Sequence, residues 1–259
     1  MPGSRSSLPF RALAAVLLAA GPTAAADATA LPFGPGERVE MRITYAGLLA
    51  GRASLAVEPG RDGATFRFVS VARSQGFFAW LFRFRVDDRT VAEWDPATSC
   101  SLGIEKHLRE GSAARDQVVR IDPVTGRAEV EDKKLTQSVF SLGPCALDVL
   151  SALFVTRARG LSEQEPLRLA VFDNGKSYVL EVRVRGRERL DLPLPLGRDV
   201  PTVVVEPLLA EGTGLFVKKG RLRIWLTDDE RRVPVRMRSK VAIGSVSADL
   251  ESYTPPTPR

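Results

Sequence analysis

Apolar and polar residues alternate along most of this chain. Val39, Met41, Ile43 and Tyr45 face one way and Arg38, Glu40, Arg42 and Thr44 the other, the period-two signature of a strand with one buried face. Ala46-Gly47 and Ala50-Gly51 bracket a turn, after which Ala53, Leu55 and Val57 resume the pattern. Pro59-Gly60 and Asp62-Gly63 lead into a strand over 65–73, and Asp122-Pro123-Val124-Thr125-Gly126 joins 115–121 to 128–131. Asp173-Asn174-Gly175-Lys176 is the clearest hairpin signal, because Asn-Gly suits the two positive φ angles of a type I′ turn between strands at 167–172 and 178–184. Near the end, Leu222, Ile224 and Leu226 share one face, as do Val233, Val235, Met237, Val241 and Ile243. That apolar face then moves to even numbers at Val246, Ala248 and Leu250, which predicts a bulge or sharp bend near Gly244-Ser245. Many strands joined by short turns predict a largely antiparallel sheet.

Two segments break the alternation. Residues 144–160 carry apolar side chains at 146, 147, 149, 150, 153 and 154, the spacing of a helix. Pro144 suits its first turn, Asp148 the positive end of its dipole, Arg157 and Arg159 the negative end, and Gly160 a left-handed close. Its wide apolar stripe needs the sheet as a partner. The second segment, 75–84, holds Phe77, Phe78, Trp80, Phe82 and Phe84, and reads either as a core plug or as an apolar lip on a cavity. The expected fold is therefore mainly β (α+β), a curved antiparallel sheet or incomplete barrel wrapping one central helix. No linker and no fixed-period repeat divides residues 27–253, so a single β-rich domain is expected, followed by a disordered tail at 254–259 with three prolines.

Arg5 and Arg11, the apolar run 12–20 and the small residues Ala24-Ala25-Ala26 form a signal peptide over residues 1–26. It lacks a nearby Cys for lipid attachment, and no later segment is long and apolar enough to span a membrane. The expected product is a soluble periplasmic protein without a lipid anchor. The 259-residue chain has 37 Lys and Arg against 31 Asp and Glu, a formal charge of +6 that becomes +4 without Arg5 and Arg11. The basic residues are scattered, not gathered in the stripe of a nucleic-acid protein. Cys100 and Cys145, in an oxidising compartment, read as one disulfide or as two buried thiols. With those two sulfurs and one histidine, a structural zinc site is excluded, and no cofactor is expected.

Candidate chemistry is sparse. Asp228-Asp229-Glu230 has the look of a carboxylate cluster, but it falls between two amphipathic strands, where Asp favours turns by bonding backbone N–H groups. Acids flanked by arginines at a solvated tip lack the desolvation that an acid catalyst needs. Ser-His nucleophilic catalysis would depend on His107 alone, and that residue alternates onto the face opposite Leu102, Ile104 and Leu108, an exposed strand position. Gly212-Thr213-Gly214 lacks a phosphate loop's context. Arg183, Arg185, Arg187 and Arg189 read either as a solvated strand face or as a cationic ladder for phosphate or acidic sugar. Asp148 and Ser151 have no neighbouring base and read as capping and packing residues.

Asp148-Val-Leu-Ser151 with Arg157, Ile224-Trp-Leu-Thr-Asp-Asp229 with Arg232-Val-Pro234, Ile243-Gly-Ser245, and Tyr45-Ala-Gly-Leu-Leu-Ala-Gly51 together resemble the exported bacterial proteins grouped as domain of unknown function 3108, over roughly residues 33–253. The resemblance implies an envelope protein without an established activity, and fold-determining roles for Asp148, Ser151, Arg157, Trp225, Asp229, Pro234 and Gly244. The general shape is also similar to periplasmic lipoprotein carriers, a likeness of fold alone. The expected function is non-enzymatic binding of an apolar ligand, an acyl chain or lipid, on the concave face. Its expected lining is Phe77, Phe78, Trp80, Phe82, Leu147, Leu150, Phe154 and Trp225. The alternative is a protein-interaction or scaffold module of envelope assembly with a solid core and an envelope protein as partner. A hydrolase is the third reading, and it lacks a base.

Overall fold

The computed structural model describes residues 31–75, 85–132, 135–209, 222–240 and 244–258. The expected signal peptide at 1–26 and the aromatic segment at 77–84 lie outside the described residues. Among the described residues, fourteen strands form one antiparallel sheet. They are β1 (Arg38–Tyr45), β2 (Leu48–Pro59), β3 (Phe66–Ser74), β4 (Asp87–Asp95), β5 (Cys100–Glu110), β6 (Ala113–Asp122), β7 (Arg127–Asp132) and β8 (Leu135–Ser141). After a helix, α1 (Val149–Ala158), come β9 (Leu167–Asp173), β10 (Lys176–Leu190), β11 (Val200–Leu209), β12 (Leu222–Thr227), β13 (Pro234–Lys240) and β14 (Ser245–Thr254). The spatial order is β8-β7-β6-β5-β4-β3-β2-β1-β14-β13-β12-β11-β10-β9, so the strands before and after the helix form two meanders joined where β1 pairs with β14.

Local chemistry explains most of the boundaries. Asn174 and Gly175 adopt φ of 50° and 73°, and Asp173 pairs with Lys176, as the Asn-Gly hairpin requires. A Cβ on Gly175 would also come within 3.2 Å of the Phe140 ring. At the first hairpin only Ala46-Gly47 turns. β2 starts at Leu48, and Ala50 is skipped between the Thr44–Leu49 and Ile43–Gly51 pairs, a bulge that the sequence pattern mimics as a second half of the turn.

The change of parity near Gly244 has a different cause from the one expected. It is not a bulge in one long strand: β13 stops at Lys240, which pairs with Ser245 of β14. A hairpin of that register places Met237 opposite Ala248, so odd and even positions share a face. Residues 241–243 lie outside the described residues.

The helix starts later than its apolar spacing predicts. Leu147 is committed to β9, donating its N–H to the Ala170 carbonyl (2.9 Å) and accepting from Phe172 N–H (2.8 Å). Pro144 is therefore outside the helix, and Asp148 is the N-cap, with its Oδ1 accepting from the N–H groups of Leu150 (2.8 Å) and Ser151 (2.9 Å). The C-cap is Arg159 in an extended conformation, so Gly160 does not close the helix in the left-handed region.

Both ends of α1 are tied to one end of the sheet. Asp148 accepts a 2.8 Å bond from Ser101 Oγ at the start of β5. Arg157 donates to the Arg231 and Arg232 carbonyls (each 3.0 Å) in the β12–β13 turn and pairs with Glu37 just before β1. The helix thus crosses this end, with Phe154 stacked on Phe68 of β3 at a centroid distance of 3.9 Å. The disulfide Cys100–Cys145, with Cα atoms 4.8 Å apart, fastens the same region.

The sheet is open, as an incomplete barrel requires: among the described residues β8 and β9 are not hydrogen-bonded to each other. Side chains span that seam. Lys106 Nζ bonds Asp173, Arg115 donates to Asn174 Oδ1 (2.5 Å), and the rings of Phe140 and Phe172 lie 5.3 Å apart. The proline-rich tail, expected to be disordered, lies along the N-terminal stretch, where Thr257 N–H donates to the Pro35 carbonyl at 3.0 Å.

Candidate functional site

A cavity of about 180 Å³ lies between the helix and the inner face of β10–β13. Val149, Leu153 and Thr156 form its helical side, with Leu180 and Val182 on β10, Val205 and Leu209 on β11, Leu222 and Ile224 on β12, and Met237 on β13. Period two explains this wall: 178, 180 and 182 of β10 face inward together, as do 222 and 224 of β12. The lining is apolar except for the hydroxyls of Thr156 and Tyr178, and Thr156 Oγ1 is already bonded to the Ala152 carbonyl (2.7 Å). Burial pushes the Tyr178 phenol pKa up, and the nearby Asp173 carboxylate adds to the rise.

Of the residues expected to line a ligand site, Leu150 and Phe154 lie on another face of α1 from the cavity, and Leu147 lies before the helix. Phe154 belongs to an aromatic cluster with Phe33, Phe68 and Trp94, and Leu147 and Leu150 are buried in the main core. Trp225 pairs with Val204, while its neighbour Ile224 pairs with Val205 and lines the cavity. Trp225 therefore points to the opposite side of the sheet, where its Nε1 donates to Glu188 at 2.8 Å and Arg236 and Arg238 lie over its ring. A helix has more than one buried face here, so apolar character alone does not identify the side that borders the cavity.

Sequence reasoning also missed a polar row inside the sheet. Lys106, Gln117 and Asp132 are cross-strand partners on β5, β6 and β7, on the face that carries Ile104, Val119 and Val130. Lys106 is 7% exposed and Gln117 2%, and the Gln117 Oε1 is buried without a hydrogen-bond partner. Arg115 donates to Asp132 Oδ2 at 3.3 Å. The available signal was a polar residue at an inward-facing position of an alternating strand.

The acidic triplet is a turn. Asp229 Oδ1 accepts from Thr227 Oγ1 (2.6 Å) and from the N–H groups of Arg231 and Arg232 (each 3.1 Å), and its Oδ2 accepts from the Arg231 guanidinium. Burial raises its pKa, but the bonds from Thr227 and Arg231 outweigh that and leave the carboxyl below its ordinary value. Asp228 pairs with Arg187 (2.9 Å). The arginines of β10 are likewise neutralised: Arg183 by Glu181 (2.8 Å), Arg185 by Glu206 (2.5 Å), Arg189 by Asp199 (2.6 Å). His107 is exposed on the outer face, with Nδ1 2.9 Å from Asp116 Oδ1. Asp148, whose pKa is raised by burial, also accepts from Ser151 Oγ (2.6 Å) and has no base beside it. Among the described residues there is no group of three or more His, Cys, Asp or Glu arranged to hold a metal ion, and no helix long and apolar enough to cross a membrane.

Comparison with known proteins yields a family model, Protein of unknown function (DUF3108), that matches residues 40–251. No curated protein matches. Among solved structures, a beta-barrel-like protein of domain of unknown function DUF1849 from Brucella abortus superposes with a TM-score of 0.59 at 13% identity, covering 88% of this chain and 100% of that one. The likeness is one of fold. A putative lipoprotein from Parabacteroides distasonis is also similar, at 10% identity over 86% of this chain and 98% of that one, but its TM-score of 0.28 is too low to carry an argument.

Proposed function

The chain belongs to the DUF3108 family, and we propose that it is a non-enzymatic, exported binding protein of the cell envelope that holds an apolar chain in the cavity beside α1. The cavity wall carries the reading: apolar side chains from the helix and four strands converge there, in keeping with the mostly apolar lining of ligand sites. The Cys100–Cys145 disulfide supports export, since such bonds persist in oxidising compartments. The acids of the β12–β13 turn and Asp148 are engaged in turns and caps, which supports a role without catalysis.

At about 180 Å³ the cavity is below the roughly 300–1,000 Å³ that encloses a drug-sized ligand. It suits a short stretch of one apolar chain and not a two-chain lipid. The same small volume favours the second reading, an envelope interaction module with a nearly solid core. Organic-solvent extraction of natively purified protein, followed by lipid mass spectrometry and titration with a fluorescent acyl probe, separates the two. A co-purifying single-chain lipid and saturable probe uptake are expected. A blank extract with no uptake leaves the interaction module.

A further inference from the structure

A second cleft, of about 580 Å³, lies on the outer face of β10–β12. On β11, Val204 and Glu206 line it while Val205 between them lines the apolar cavity, so the two open on opposite faces of the sheet. A bulge forms its floor: Arg185 is skipped between the Val184–Val205 and Gly186–Val204 pairs, and a Cβ on Gly186 would meet no atom within 4 Å. The volume falls within the roughly 300–1,000 Å³ of small-molecule sites.

Two groups that line this cleft are left incomplete. Glu206 is 2% exposed and accepts from Arg185 through Oε2, yet its Oε1 is buried without a hydrogen-bond partner. Buried acceptors are nearly always bonded, so a donor there is strongly favoured. Arg223 of β12 is exposed and has no ion pair among the described residues. Its register partner on β13 is a second cation, Arg238, which bonds Ser247 Oγ and lies over the Trp225 ring. Like charges directly opposite one another repel, and an anion beside them relieves that repulsion. The remaining arginines of the cleft are matched, Arg185 by Glu206 and Arg187 by Asp228 and Glu163. Glu188 adds a further acceptor, with one oxygen taken by Trp225 Nε1.

The surroundings of Glu206 narrow the donor. Its one negative charge is already offset by Arg185, and Arg223 stands on the adjoining strand. An ammonium there would face two guanidiniums against one carboxylate, whereas a neutral hydroxyl meets no such repulsion.

We infer that the cleft binds a small hydroxylated anion, of the size of a sugar acid or sugar phosphate. Its acid group takes Arg223, and its hydroxyls donate to Glu206 and Glu188. The site is independent of the apolar cavity, and each can fail without the other.

The test is a titration of the full protein, followed by NMR, with glucuronate, glucose 6-phosphate, glucose, glucosamine and cyclohexanecarboxylate. At least one sugar anion is expected to bind about tenfold more tightly than glucose, glucosamine or cyclohexanecarboxylate, the effect of one charge-assisted hydrogen bond. The tighter of the two assigns the acid group as carboxylate or phosphate. Arg223→Gln, at an exposed position, is expected to bring the sugar anions within about threefold of glucose. Lys176→Gln removes an exposed charge at the β9–β10 hairpin and is expected to change nothing. Glu206→Gln should weaken glucose and the sugar anions alike. Tightest binding of glucosamine or cyclohexanecarboxylate overturns the ligand class. Equal weakening by Arg223→Gln and Lys176→Gln reports overall charge and overturns the site. Absence of saturable binding by either sugar anion also overturns it, whether or not the protein takes up an acyl probe, and leaves Arg223 to close on Glu206.

Discussion

Arg157 and Glu37 meet in a bidentate ion pair, 2.9 and 2.7 Å long, with side chains only 1% and 2% exposed. The guanidinium's remaining donors reach the Arg231 and Arg232 carbonyls, and the Tyr253 hydroxyl donates to Glu37 Oε1 at 3.2 Å. One arginine therefore joins the helix, the chain before β1, the β12–β13 turn and β14. Removing either partner leaves a buried charge alone, so Arg157→Met or Glu37→Gln is expected to cost about 3–5 kcal/mol in urea unfolding. The double variant should cost clearly less than the sum of the two, and strict additivity would mean that the pair is not coupled.

Asp148 sets a pH dependence of opposite sign to that of most carboxylates. Burial raises its pKa above the ordinary 3.8, so the folded protein holds this proton more tightly than the unfolded chain does. Its contribution is fully present below about 3.8 and is lost as pH rises through the raised folded value. Asp148→Asn keeps one capping oxygen but turns the acceptor for Ser101 and Ser151 into a donor, at an expected cost of about 1–2 kcal/mol. The stability gap between parent and variant should narrow as pH rises, measured by denaturant titration across the acid range. A widening gap contradicts the burial argument.

The disulfide closes a sequence separation of 45 residues. Loop-closure entropy gives it about 4 kcal/mol, so Cys100→Ser with Cys145→Ser should lower stability by that order. Because the bond adjoins the Asp148–Ser101 contact, amide exchange in the first turn of α1 should accelerate more than exchange in β12 or β13. Equal acceleration throughout would show that the bond acts on the unfolded chain alone.

Leu153 tests the cavity. Leu153→Phe directs a ring into a space of about 180 Å³, which should abolish acyl-probe binding while shifting stability by no more than about 1–3 kcal/mol. Phe154→Leu, on the opposite side of the helix, should cost stability without abolishing binding. Probe binding that survives Leu153→Phe would place the ligand elsewhere.

Several of these groups were visible in the sequence as residues but not as partners. Asp148, Arg157 and Asp229 stood out in the family motifs, and each has a structural task there: cap, buried ion pair and turn. Glu37 shares the inward parity of Val39 and Met41 but lies just outside β1, and nothing local signals that Arg157 of the helix and Tyr253 of β14 meet it there. Val149 and Leu153 border the cavity and Leu150 and Phe154 do not, since helical spacing marks the apolar stripe and not which part of it meets a gap. Trp225 alternates with Ile224, which puts it on the face of β12 away from the cavity.

The sequence by itself determined many of the strands, the Asn174-Gly175 hairpin, a helix within 144–160 and the turn at Asp229, because period and turn chemistry act over a few residues. Tertiary structure decided which inward-facing polar residues met: Lys106 with Asp173, 67 residues away, and Arg157 with Glu37, 120 residues away. Strand order, the open seam between β8 and β9, and the space beside α1 likewise depend on how the curved sheet brings distant segments together. No local pattern encodes those distances, since alternation specifies which face a side chain takes and not what lies across from it.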